Sequence, residues 1–149
     1  MESLWNKNNQ ALLISRIEQL KDNSPRKWGK MDVAQMLEHI NIAYKNSIDE
    51  VQVNKNPLSV IISLPPVKKL MIYGMPFLKN LPTAKEYIVK DSQDFEKNKE
   101  DFLKTFHKIT QKGSDQTFVS HPIFGELSYE DWGALLSKHL DHHLKQFGV

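Results

Sequence analysis

The sequence predicts an all-α fold, a compact helical bundle built as one domain over residues 1–149. Three observations predict it. Apolar residues recur at spacings of three and four through long stretches, and no stretch shows convincing alternation of period two. Those stretches begin and end at capping and breaking residues. At 149 residues the chain suits one domain with a real core and is short for two.

The first helix is expected from about Asn8 to Lys21, with Leu13, Ile17 and Leu20 on one face, and Asp22-Asn23-Ser24-Pro25 ends it. The second runs from an Asp32 N-cap to Val51, its stripe being Val33, Met36, Leu37, Ile40, Ala43 and Tyr44. Between Asn56 and Pro82 five prolines cut the chain into pieces, predicting two short helices and connecting loops. A further long helix is expected from Ser92 to Gln111, with Phe95, Phe102, Phe106 and Ile109 inward and Gly113 as C-cap. A loop from Thr117 to Leu127 contains His121-Pro122 and Gly125. The last helix opens at Ser128, with Asp131 completing a capping-box-like start, and Gly148 closes it.

Composition narrows the function. Apolar content of 40% and charged content of 26% are ordinary for a soluble globular protein. The net charge of +2 is spread among both signs, so no basic face for nucleic acid is expected. There are no cysteines, which excludes disulfides, thiolate metal sites and a cysteine nucleophile. The N-terminus shows no cationic start followed by an apolar run, so no secretory signal is expected. The longest apolar run, Leu58 to Leu64, is far below the ~20 residues of a membrane span. A cytoplasmic protein without a membrane partner is the expectation.

Chemistry concentrates in the last helix, where three of the six histidines fall within five positions. His139 and His143 lie about 40° apart on a helix turning about 100° per residue. Trp132, Leu135, Leu136 and Phe147 share their face, so these imidazoles should point inward and need partners. A divalent metal is the sharpest candidate, and an i,i+4 pair suits it. His142 lies about 60° from His139 and could replace His143, although it falls at the polar edge of the stripe. A third ligand must come from another helix, and His39, at the edge of the second helix's stripe, is best placed. Standing alone, a histidine in that position is more often solvated or hydrogen-bonded. His107 lies off its helix's phenylalanine stripe and is expected at the surface. His121 reads first as a turn residue, with a supporting role at a cavity mouth as the alternative. Pro25-Arg26-Lys27 and Lys68-Lys69 read as solvated charge, and Trp28, Trp132 and Phe147 as packing.

Gln35-Met36-Leu37-Glu38-His39-Ile40, followed by a final helix with His139-x-x-x-His143-x-x-Gln146, resembles the DinB/YfiT-like metalloenzyme superfamily. Within it, His121-Pro122-x-Phe124-Gly125-x-Leu127, then Trp132, then His139 through Gly148, resembles the DUF1569-type branch. The resemblance implies a four-helix bundle of DinB/YfiT type with short extra helices in the proline-rich middle. It also implies a divalent metal, zinc or nickel, on His39, His139 and His143, and a homodimer.

The leading expectation is a metal-dependent transferase or hydrolase acting on a small-molecule substrate. Its site would activate water or a low-molecular-weight thiol, which must be exogenous because the chain has no cysteine. Glu38, Asp141 and backbone carbonyls are available to hold the rings' second nitrogens. His121, His142 and Tyr44 are weak candidates for a general base. The alternative is a non-catalytic protein, either binding a small molecule or holding a metal that staples the helices. A phosphotransfer histidine at His39 is disfavoured by its place near the apolar stripe.

Overall fold

The computed structural model describes residues 2–57, 59–80, 85–91 and 94–149. These residues form six α-helices and no strand. Helix α1 (Lys7–Glu18) starts where the Asn6 side chain accepts from the Asn8 and Asn9 amides. It stops three residues before the expected end, as the Gln19 and Leu20 amides turn back to Arg16 and Ile17. Helix α2 (Val33–Ser47) has the expected Asp32 cap, completed by Gln35 into a capping box. Its predicted extension to Val51 fails. Asp49 adopts φ 65°, and the Glu50 amide folds back onto the Lys45 carbonyl. A left-handed residue ends a helix in this way.

The proline-rich middle forms two short helices, as expected: α3 (Ser59–Ile62) and α4 (Pro65–Lys69). α4 runs straight into a π-helical turn, Leu70–Gly74, which the apolar spacing did not announce. A 3₁₀ turn, Lys85–Tyr87, follows. Helix α5 (Phe95–Lys112) begins behind Asp94, whose side chain accepts from the Lys97 amide. The expected start at Ser92 and the predicted boundary at Pro82 lie outside the described residues. Gly113, φ 56°, follows α5, as expected. Helix α6 (Tyr129–Gln146) opens with the Ser128–Asp131 capping box and is closed by Gly148 at φ 84°.

The core joins the predicted stripes. Leu13, Ile17 and Leu20, then Met36, Leu37, Ile40 and Tyr44, meet Phe102, Phe106 and Ile109 and the Trp132, Leu136 and Leu140 face of α6. α2 packs against α5 and α6, and α6 against α1 and the π turn. The chain before α1, which the periodicity left blank, also belongs to the core: Leu4 is buried. The Leu4 amide donates to the Gly133 carbonyl, and the Trp5 indole donates to the Tyr129 carbonyl while stacking on the Tyr129 ring. Gly133 sits mid-helix because a Cβ there would occupy the space of the Trp5 indole and the Ser3 hydroxyl. No helix among the described residues is long and apolar enough to cross a membrane.

The loop before α6 is a tight turn in which the His121 and Gly125 backbones exchange both hydrogen bonds, each 2.9 Å. Inside it, His121 Nδ1 accepts from the Ile123 and Phe124 amides at 3.0 and 3.2 Å. His121 is therefore a turn residue, and its accepting Nδ1 fixes the neutral ring as the Nε2–H tautomer.

Burial against Trp132 and Phe124 lowers the His121 pKa to about 3 from its ordinary 6.5. As pH falls, the unfolded chain gains this proton near 6.5 and the folded chain only near 3. The stability is complete above the higher value and declines on acidification, by at most ~1.4 kcal/mol per pH unit for one such group. His121→Asn should flatten the acid limb of a denaturation-midpoint profile by one proton. His121→Ala should cost ~1–3 kcal/mol in chemical denaturation, because two amides lose their acceptor.

Candidate metal centre

The α2–α6 seam brings together the three histidines that the sequence put forward. His39 comes from the middle of α2, while His139 and His143 sit one turn apart on α6. Their available nitrogens all lie within 4.8 Å of one another. His39 Nε2 and His139 Nε2 are 3.3 Å apart, and the rings meet edge to face, with His39 and His143 centroids at 4.8 Å. Two imidazole nitrogens on one tetrahedral zinc stand about 3.3–3.4 Å apart, given bonds of about 2.0–2.1 Å. The closest pair already matches that spacing.

Hydrogen bonds settle which nitrogens face the cluster. His39 Nδ1 lies 2.9 Å from the Tyr87 carbonyl oxygen, which can only accept, so Nδ1 carries the proton. The neutral ring then turns its Nε2 lone pair towards His139. His143 Nδ1 lies 2.8 Å from Gln146 Oε1, and the Gln146 amide nitrogen donates to the Trp28 carbonyl at 2.8 Å. That second bond orients the amide, so His143 also donates from Nδ1 and offers Nε2. Two of three rings are thus prepared as neutral Nε2 ligands before any ion arrives.

Electrostatics agree. Burial lowers the His39 pKa, against a smaller opposing effect of the Tyr87 carbonyl. Burial takes His143 to about 3, helped by the His39 charge and opposed by Gln146. His139 is held well below its ordinary value by burial first, then by His143 and His39. All three rings are neutral at pH 7, the state that binds metal.

The supports come from elements with no periodic signal. Tyr87 belongs to the short 3₁₀ turn, and its hydroxyl donates to Asn46 Oδ1 on α2, tying the turn to the helix that carries His39. Trp28 is brought to Gln146 by Gly29, φ +79°, where a Cβ would run into the Gln146 side-chain nitrogen. Gln146 stood in the final-helix motif without a role. Asp141, considered as a ring acceptor, instead pairs with Arg16 at 2.8 Å and Lys145 at 2.7 Å. Tyr44 is no base: it is buried, its hydroxyl donates to the Leu136 carbonyl, and burial raises its pKa. Glu38 is half-buried, and the acceptors found on His39 and His143 are other groups.

His142 is half-buried beside the cluster, its ring 5.1 Å from His143 and 5.9 Å from Phe77, but it falls outside the group whose nitrogens could share an ion. Phe77 also faces His139 at 5.9 Å, and Trp28 faces His142 at 5.7 Å. His107 is exposed on α5, as expected. It lines a surface hollow with Lys104 and Lys108, whose ammonium groups pair with Glu100 and Glu50.

Fold and site together define an all-helical protein with an inward three-imidazole group that could hold a metal ion. Residues 3–148 match the family described as Protein of unknown function (DUF1569), and the chain belongs to that family. No curated protein and no solved structure is a significant match to it.

Metal content after reconstitution, read by elemental analysis, should approach one ion per chain. It should drop to background in His39→Ala, His139→Ala and His143→Ala and persist in His107→Ala. Gln146→Leu should bind the same amount at saturation with roughly 10–100-fold weaker affinity, because the His143 ring loses its acceptor. Competition against a chelating indicator measures that shift.

Proposed function

We propose that this chain is a divalent-metal-dependent enzyme of transferase or hydrolase type, on a four-helix bundle of DinB/YfiT kind. One observation carries the proposal: three neutral imidazoles converge, and two already have their second nitrogens bonded to fixed acceptors. A structural tetrahedral site closes its sphere with four protein ligands, whereas a catalytic one keeps a position for water or substrate. The group here has three members among the described residues.

The chemistry that zinc or nickel supplies at such a set is Lewis acidity, bringing the pKa of a thiol or water towards neutrality. The chain's own residues do the rest. Tyr87 and Gln146 hold His39 and His143 in the ligand tautomer. Phe77 and Trp28 place apolar rings against His139 and His142 and keep bulk water from that side. His142 stands at the rim, its pKa lowered mainly by burial, so it is neutral at pH 7 and able to take a proton from an incoming nucleophile. Because the chain has no cysteine, a thiol nucleophile must be a cosubstrate.

A metal staple is the competing reading, favoured by the fact that the ligands join two packed helices, α2 and α6. Turnover separates the two. Metal-loaded protein should consume an electrophile in the presence of a small thiol, or hydrolyse an activated ester. His142→Gln should lower kcat by about 10²–10⁴ while retaining metal. If metal raises the melting temperature but neither reaction exceeds the metal-free rate, the staple is correct.

A further inference from the structure

Among the described residues, every exposed large apolar side chain except Leu12 lies between residues 60 and 88. Val60 and Ile61 are 76% and 61% exposed, and Leu64, Leu70, Tyr73 and Leu78 each exceed half. The same segment has a second face: Ile72 is buried, and Ile62, Met71 and Phe77 pack on the core. It therefore lies as a layer on α6 and turns its remaining apolar side chains outward. The layer is pinned. Lys138 of α6 reaches up to donate to the Met71 and Ile72 carbonyls at 2.5 and 2.9 Å, and Lys68 donates to the Glu126 carbonyl at 2.6 Å.

Charge says what covers this face. Residues 51–90 contain six lysines and a single carboxylate, Glu86, while the rest of the chain holds 14 cations and 17 carboxylates. Lys55, Lys69, Lys79, Lys85 and Lys90 are exposed. Apolar side chains interleaved with lysines, with a tyrosine among them, match an anionic bilayer surface: the chains enter the acyl boundary and the ammonium groups meet the headgroups. A second copy of this chain fits poorly, because an isologous contact sets the same lysines against each other.

We propose that the 60–78 layer is a docking surface for anionic lipid membranes, which the protein binds peripherally. This inference is independent of the metal, since neither the exposed side chains nor the lysines take part in the histidine group. It revises the expectation of no membrane partner, which rested on the lack of a spanning segment. It also gives Lys69, read as plain solvated charge, a counter-charge.

Co-sedimentation of the full chain with vesicles tests it. Binding should be strong to phosphatidylcholine mixed with phosphatidylglycerol, weak to phosphatidylcholine alone, and reduced by salt. Val60→Asp with Ile61→Asp, and separately Lys55→Glu with Lys69→Glu, should each lower the bound fraction's partition coefficient about tenfold or more. Leu12→Asp, an exposed apolar position on α1, should leave it unchanged. All substituted positions are exposed, and an unchanged helical circular dichroism spectrum confirms that the fold is retained. No binding to anionic vesicles, the result expected of a face that docks an acidic protein, overturns the proposal. So does equal binding to neutral vesicles, or a dimer in light scattering that Val60→Asp with Ile61→Asp dissociates.

Discussion

Three imidazoles lie against one another in the seam between α2 and α6, and the organisation around the site follows from what that burial demands. A charged imidazole there would be desolvated and repelled by two others, so the rings are neutral. A neutral buried ring still has one N–H to satisfy. For His39 the acceptor is the Tyr87 carbonyl, which requires the 3₁₀ turn to sit on α2. For His143 it is Gln146, which requires the Trp28–Gly29 backbone to pass close over the end of α6. Two loops are fixed in place by the needs of two rings.

α6 carries most of this burden and is built for it. Along its length, polar groups that face inward each meet a defined partner. The Ser137 hydroxyl donates to the Glu2 carbonyl and accepts from Asn9, Lys138 reaches the carbonyls of the π turn, and Asp141 binds Arg16, which also holds the Val149 carbonyl. Each bond attaches a different segment: the N-terminus, the proline-rich layer, α1. The buried Lys138 ammonium has carbonyls rather than a carboxylate around it, and burial lowers its pKa. Its bonds to two carbonyls of the π turn hold the layer carrying Phe77 beside His139, which links the surface layer to the site physically.

Much of the fold was legible because helices announce themselves locally. The stripes of α1, α2, α5 and α6 are the buried faces, and the caps at Asp32 and Ser128 are where hydrogen-bonding chemistry places them. Where the periodicity overshot, the cause was a backbone event. α2 ends at Ser47 although Ile48 and Val51 continue its apolar character, because Asp49 turns left-handed. The N-terminal segment was missed because Leu4 and Trp5 have no periodic neighbours. Their burial depends on Gly133 more than a hundred residues away, as the Trp5–Tyr129 bond shows.

The sequence by itself determined the helical class, the inward face of α6 and the pairing of His139 with His143, since each follows from residue spacing on a regular helix. Only the tertiary structure decided that His39 completes the group and that His142 stays at its rim. It also chose the acceptors: Asp141, the charged candidate nearby in sequence, went to Arg16, and a carbonyl and an amide took the imidazoles. The reason is physical. A backbone carbonyl is the same group at every residue, so no pattern of side chains can mark the one at Tyr87 as the partner of His39. Packing alone brings it within 2.9 Å.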